Sequence, residues 1–146
     1  MEIIRHFLTA CIASSAYGMI FDLRGKALIF GAIGGGAGWV IYNSLLNSLG
    51  YSMAFFLAAV FVGLYAEIMA RVKKLPASVF ILVGMLPLVP GEGIYLTMKA
   101  LVTNDSEALA HYGRLTFNSA GVLALGLLLV SSIARFISQI RLRKKN

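Results

Sequence analysis

The chain has no charged residue and no histidine between Ala27 and Ala66, and this stretch constrains its fold more than any other feature. A helix needs roughly 20 apolar residues to cross the hydrocarbon core of a bilayer, so the stretch is too long for one crossing. Asn43, Asn47, Gly50 and Ser52 divide it into two. Hydrophobic residues make up 59% of the whole chain and charged residues only 13%, which places it among integral membrane proteins.

The other apolar stretches complete a set of about five predicted transmembrane helices in one all-α domain. A second uncharged run, Leu115–Ala134, is long enough for a further crossing. The connections between the stretches are short, which leaves no room for a separate water-soluble domain. The predicted spans are residues 3–21, 27–47, 52–70, 77–101 and 115–136, followed by a basic tail at 137–146.

The fourth predicted span is interrupted at Pro87–Gly93. Pro87 and Pro90 each remove a backbone N–H donor and clash with the preceding turn, so we expect the helix to break there. Lipid cannot satisfy the backbone groups that a break sets free, so this segment must be packed in protein or line a cavity. Secondary transporters build substrate and ion sites at such breaks. The alternative is a simple kink, with Glu92 extending to the nearby membrane surface.

The break and the helix after it form the predicted substrate site. If the helix resumes near Gly93, its free amides and dipole can bind an anion, so a small solute with a carboxylate could dock there. Tyr95 lies one turn before Lys99, and both can face the same cavity, although Lys99 can also be a boundary residue that extends to the headgroups. Asn118 can bond to the solute or to another helix. The predicted residues are Pro87, Pro90, Gly91, Glu92, Gly93, Tyr95, Lys99 and Asn118.

The second predicted span carries glycines four residues apart, which leaves one helix face as nearly bare backbone. Such a face lets another helix approach closely, because packing drives helix association in lipid. A phosphate-binding loop would need Lys-Ser/Thr after the glycines and a strand before them, and the chain has Trp39 and apolar residues instead. The pattern therefore predicts a helix-packing face whose partner helix can belong to this chain or to another. Its residues are Gly31, Gly34, Gly35 and Gly38.

Glu67 and Arg71 in the third predicted span are four residues apart and can form an ion pair on one helix face. The pair can fix the depth of the helix at the membrane boundary, or it can take part in moving protons or substrate. His6 and His111 have no partner at metal-ligand spacing, so neither a metal nor a cofactor is predicted. The sequence also has no Ser/His or paired-Asp arrangement and no His/Glu spacing for a metal, which argues against an intramembrane enzyme.

Nine of the 13 lysine and arginine residues fall on one side of the predicted membrane, after the first, third and fifth spans, while Arg5 and Arg114 lie on the other side. Positively charged loops stay in the cytoplasm, so we predict a prokaryotic inner-membrane protein with an external N-terminus, a cytoplasmic C-terminus and an external loop at 102–114. The net charge of +7 is concentrated in these segments, which suits anionic lipid and argues against nucleic-acid binding. The residues are Arg24, Lys26, Arg71, Lys73, Lys74, Arg141, Arg143, Lys144 and Lys145.

Residues 66–98 resemble the small membrane subunit of the threonine/serine exporter family, and a weaker resemblance extends from about span two to span five. The motifs are AEIMAR at 66–71, Pro76, PLVPG at 87–91, Tyr95 and Thr97-Met98. The resemblance implies a small subunit that works with a larger one, or is fused to it, to export small amino acids or organic acids. It also implies that PLVPG and Tyr95 belong to the transport core. Glu92 departs from the pattern, which implies a small residue there.

Two functions fit these observations. The first is a transport subunit that exports a small carboxylate-bearing solute, coupled to the proton gradient. An odd number of spans prevents the chain from forming its own inverted repeat, so transport requires a larger subunit of the same family or a homo-oligomer. The second is a non-transporting scaffold subunit that stabilises a larger partner. Transport predicts that the polar groups at 87–99 face a wet cavity, whereas a scaffold predicts that they pack against helices.

Overall fold

The computed structural model describes residues 2–143, with the side chains of 2–140, and this part of the chain is almost entirely helical. Residues 144–146 of the predicted basic tail lie outside it. The helices are α1 (Glu2–Ile20), α2 (Lys26–Leu49), α3 (Tyr51–Lys73), α4 (Ala77–Met85), α5 (Gly91–Val102) and α6 (Ser106–Arg143), with a 3-10 turn at Leu86–Leu88.

Four of these helices, α1, α2, α3 and α6, are long and apolar enough to cross a membrane. A fifth crossing results if Ala77–Leu88 and Gly91–Val102 form one span, because they follow each other with a bend of 56°. A bend of this size redirects the chain without reversing it. The predicted all-α membrane protein is confirmed, and its fourth apolar stretch is broken at the predicted position.

The break between α4 and α5 follows from its two prolines. Pro87 lies in the 3-10 turn directly after α4, and Val89 has an extended backbone with φ −62° and ψ 129°. Pro90 precedes the first residue of α5, and its carbonyl accepts a hydrogen bond from the Ile94 N–H at 3.0 Å. A proline at a helix start costs the helix no internal hydrogen bond, because the first amides of a helix have no partner inside it. The prolines therefore end one helix and begin the next.

Helix α2 lies at the centre of the fold and packs against α1, α3 and α4. Its glycines permit this, since a Cβ on Gly34 would lie 2.6 Å from the Tyr65 ring and one on Gly38 would lie 2.5 Å from Val62. The glycine face is thus buried against helices of the same chain. The facing side chains are Val83 for Gly31, Tyr65 for Gly34, Ser14 for Gly35 and Val62 for Gly38.

Helices α3 and α6 run parallel to each other. A Cβ on Gly126 of α6 would lie 2.8 Å from Ala59 of α3, and further along both helices Gly63 lies against Val130. Two parallel helices that cross a membrane begin on the same side of it. The segment between them must therefore carry the chain across once, which is what the bent pair α4 and α5 does if it forms one span.

Helix α6 begins at Ser106, so the connection after α5 is shorter than the loop predicted at 102–114. The helix start is capped, because the Ala108 N–H donates to Asp105 Oδ1 at 3.0 Å. An aspartate at this position satisfies one of the free amides of the first turn, and Glu107 favours the same end of the helix dipole. The charged residues here start a helix and do not interrupt one.

Candidate functional site at the helix break

A cavity of about 430 Å³ lies beside the break between α4 and α5. It is lined by Pro87–Gly93 of the break, by residues of α2 and α3, and by Tyr112 and Leu115 of α6. Leu88 is fully buried and lies 3.7 Å from the Cβ position of Gly38, near the middle of α2. The break thus lies beside the middle of α2, which is itself long enough to span a membrane, and the cavity is large enough for a small molecule.

Four aromatic side chains of α2 and α3 line the cavity together with the break: Trp39, Tyr42, Tyr51 and Phe55. The ring centroids of Tyr42 and Phe55 are 4.3 Å apart, and those of Tyr51 and Phe55 are 4.8 Å apart. Trp39 lies 5.4 Å from Tyr42. Aromatic rings at these distances attract each other, so these four side chains, called here the aromatic wall, support one another.

The backbone donors of the cavity come from the first turn of α5. The amides of Gly91 and Ile94 are occupied, since they donate to carbonyls at 2.7 and 3.0 Å. The amides of Glu92 and Gly93 have no backbone partner within the described part of the chain, and α5 has no side-chain cap. Free amides at a helix start, together with the helix dipole, can bind an anion.

Glu92 supplies the one charged side chain among the described residues that line the cavity. The cavity therefore offers a carboxylate as well as two free amides and the phenols of the aromatic wall. Nowhere in residues 2–143 do three His, Cys, Asp or Glu side chains come together in a group that could hold a metal ion.

The structure brings part of the predicted site together. Tyr95 is 66% exposed on α5 and does not line the cavity, and Lys99 is also exposed outside it. Asn118 lies elsewhere on α6, where its Nδ2 donates to Ser52 Oγ of α3 at 2.8 Å. Of the two predicted roles of Asn118, a bond to the solute or a bond to another helix, this is the second. The predicted residues that do line the cavity are Pro87, Pro90, Gly91, Glu92 and Gly93.

Two threonines join α5 to α6 beside the cavity. Thr97 Oγ1 and Thr116 Oγ1 are 3.4 Å apart. Thr97 Oγ1 also donates to the Gly93 carbonyl, and Thr116 Oγ1 to the Tyr112 carbonyl, each at 2.7 Å. Gly93 packs directly against Thr116, where a side chain would not fit. These contacts fix the first turn of α5, with its free amides, relative to α6.

Glu67 and Arg71 form an ion pair away from the cavity, near the C-terminal end of α3. Arg71 Nη2 donates to Glu67 Oε2 at 3.4 Å, and the two side chains are 51% and 21% exposed, respectively. Neither residue lines the cavity at the break. Any part that this pair takes in transport would be separate from binding at the break.

The aromatic wall is absent from the predicted site, although the sequence carries a signal for it. Trp39 and Tyr42 are three residues apart and Tyr51 and Phe55 four, so each pair lies on one helix face. Gly50, with φ of 77°, joins α2 to α3 directly and brings the two pairs into contact. Aromatic residues near the ends of spans are also typical of the membrane interface, so the pattern alone does not indicate a cavity.

Among the comparisons with known proteins, a family model matches the chain. A search of curated proteins and a search of solved structures find no match. The family model described as "Threonine/Serine exporter, ThrE" matches residues 6–133, which is most of the chain and includes every residue that lines the cavity. This family consists of transporters, which agrees with the multi-pass helical fold. The chain belongs to the threonine/serine exporter family.

Proposed function

We propose that the chain is the small subunit of a secondary transporter in a prokaryotic inner membrane, and that it exports small amino acids such as threonine and serine, or organic acids. The observation that carries the proposal is the cavity of about 430 Å³ at a proline break beside the middle of α2. Family membership supports the transporter class. The cavity supports the proposal that the solute binds at the break.

In this proposal the carboxylate of the solute accepts hydrogen bonds from the free amides of Glu92 and Gly93. The aromatic wall limits the size of the solute and excludes water from one side of it. Such a site suits a molecule with a carboxylate and a short side chain, because most of the lining is apolar or aromatic.

The break also provides a hinge for alternating access. Within the described part of the chain, α5 packs against α6 and against no other helix. A change in the angle of α5 at Val89 and Pro90 would then break only its contacts with α6, including that of Gly93 with Thr116, while α4 keeps its contacts with α2 and α3. A movement of this kind would open or close the cavity without disrupting the buried core, as in the gating of other transporters with broken helices.

The proposal includes a larger membrane subunit of the same family, with a homo-oligomer as the other possible assembly. Five crossings cannot form an inverted repeat within one chain, so other spans must complete the pathway. The proposed orientation has an external N-terminus and a cytoplasmic C-terminus, supported by the positions of the basic residues.

Coupling to the proton gradient is also part of the proposal. Glu67 is a mostly buried carboxylate within a span, and it forms an ion pair with Arg71. A proton that binds the carboxylate would take the place of Arg71 as the group that neutralises its charge. Glu67→Gln should then remove the dependence of export on the pH gradient while leaving solute binding at the break intact. If the pH dependence is unchanged, the ion pair is a boundary contact.

The scaffold alternative predicts that the polar groups of 87–99 are packed against helices. Among these groups, Glu92 is exposed and lines the cavity, whereas Thr97 packs against α6, and Tyr95 and Lys99 lie outside the cavity. The position of Glu92 supports transport.

The test fills the cavity without disturbing the fold. A Cβ on Gly91 would meet no atom within 4 Å, so Gly91→Trp can place its ring in cavity space. Gly121→Trp is the matched control, because Gly121 is equally open but lies on α6 outside the cavity. In cells that also carry the larger subunit, Gly91→Trp should reduce serine export at least tenfold and Gly121→Trp should not. Equal export by the two variants would contradict the proposal.

A further inference from the structure

We infer that Glu92 makes the cavity selective for solutes that carry an ammonium group, over solutes of the same size that carry a carboxylate alone. The inference rests on the proposed function, because it assigns a specificity to the cavity at the break. It concerns the choice between the two solute classes, amino acids and organic acids.

The charges around the cavity are the first argument. Glu92 lines it, whereas Lys99, the other charged residue of α5, does not, and neither does Arg114 of α6. An organic acid would therefore add a second negative charge to a cavity whose only described charge is already negative. Like charges repel each other, so the carboxylate of the solute is disfavoured beside that of Glu92 unless an ammonium group offsets it.

The position of the donors and the acceptor is the second argument. Glu92 and Gly93 both line the cavity, and their adjacent backbone amides have no backbone partner within the described part of the chain. An α-amino acid has its ammonium and its carboxylate on adjacent carbons. Its carboxylate can accept from the amides while its ammonium neutralises Glu92. A hydroxy acid can make the first contact but leaves the Glu92 charge unpaired, which is the less favourable state.

The aromatic wall is the third argument. Trp39, Tyr42, Tyr51 and Phe55 present aromatic rings to the cavity, and the faces of such rings attract cations. They offer no comparable attraction to a second carboxylate. The wall and Glu92 therefore act in the same direction, and together they favour an ammonium group.

The test compares serine with glycerate, in which a hydroxyl replaces the ammonium of serine and the rest of the molecule is unchanged. Both are assayed by counterflow in membrane vesicles from cells that carry the chain and its larger subunit. The parental protein should exchange serine at least tenfold faster than glycerate. Glu92→Gln should lower this ratio at least tenfold, by slowing serine and sparing or accelerating glycerate.

Two further variants make the result specific. Glu107→Gln removes an exposed carboxylate from the first turn of α6, outside the cavity, and should leave the ratio at the parental value. Glu92→Asp keeps the charge and should retain a ratio well above that of Glu92→Gln. A variant that inserts poorly is recognised by its low amount in the vesicles, and the ratio of two solutes in one preparation does not depend on that amount.

The outcomes separate the inference from the proposed function. If Gly91→Trp stops serine exchange but Glu92→Gln keeps the parental ratio, the cavity binds solute and the inference about Glu92 is overturned. If Gly91→Trp leaves serine exchange unchanged, the proposed function itself fails. A fall in the ratio with Glu92→Gln but not with Glu107→Gln supports the inference.

Discussion

Gly93 of α5 lies directly against Thr116 of α6, and a Cβ at residue 93 would overlap the Thr116 hydroxyl. This contact holds the first turn of α5, whose free amides line the cavity, at a fixed place on α6. Gly93→Ala should therefore displace that turn and reduce export severalfold, with normal insertion into the membrane. Serine export per unit of inserted protein is the measurement.

A second substitution checks that the contact is the cause. Thr116→Ala removes the overlapping hydroxyl, and the Thr116 Cβ lies at an ordinary 3.4 Å from the Cβ position of Gly93. Thr116→Ala alone should be mild, since it loses hydrogen bonds worth about 1 kcal/mol each. The double variant should export more than Gly93→Ala does. If the two effects simply add, this contact does not position α5.

Gly35 lies between two other helices, because a Cβ there would overlap Ser14 of α1 and approach the Gly84 carbonyl of α4 at 3.4 Å. Gly35→Leu should therefore destabilise the chain itself by about 1–3 kcal/mol or more, as overpacked cores do. Gly121→Leu, at an open position of α6, is the control. Thermal unfolding in detergent should show a lower Tm for Gly35→Leu alone. Equal Tm values would mean that α1, α2 and α4 do not meet as closely as described.

The prolines of the break should be essential for export. Pro87→Ala combined with Pro90→Ala restores two N–H donors, so the helix can straighten and consume the free amides in its own hydrogen bonds. Export should fall at least tenfold while the amount of inserted protein stays normal. Pro76→Ala, at the start of α4, is the control, because a proline there precedes the helix and interrupts nothing. If the double variant exports at the parental rate, the break is only a kink, and the function as a non-transporting scaffold subunit is favoured.

The orientation can be read with single cysteines in a Cys11→Ala background. Ser106 is exposed at the start of α6, so Ser106→Cys should react with a membrane-impermeant thiol reagent in intact cells. Asn146→Cys, on the proposed cytoplasmic side, should react only after the cells are opened. The reverse pattern would invert the proposed topology.

The sequence predicts the break and the spans well because both depend on local chemistry. Pro87 and Pro90 cannot continue a helix wherever they occur, and the uncharged stretches are long enough to span lipid. The start of α6 is harder to predict, because a charged segment reads as a loop unless Asp105 is recognised as a helix cap. Tyr112 reaches the cavity only because α6 begins before it.

The side chains of α5 show a second limit. The spacing of Tyr95 and Lys99 puts them on one helix face but does not say which face meets the cavity. Gly93 and Thr97 face α6, and at 3.6 residues per turn Tyr95 lies on nearly the opposite side from Gly93. The rotation of α5 is set by its packing against Thr116, a contact between distant parts of the chain that helical spacing does not reveal.

Binding of the solute at the break can be measured directly by the protection of a cysteine there from alkylation. Gly91→Cys in the Cys11→Ala background places a thiol at an open position of the cavity, and Gly121→Cys places one at an equally open position outside it. In vesicles that contain the larger subunit, saturating serine should slow alkylation of the residue 91 thiol at least threefold and leave the residue 121 thiol unaffected. Alkylation at residue 91 that is unchanged by serine, in vesicles that still exchange serine, would contradict the claim that solute binds at the break.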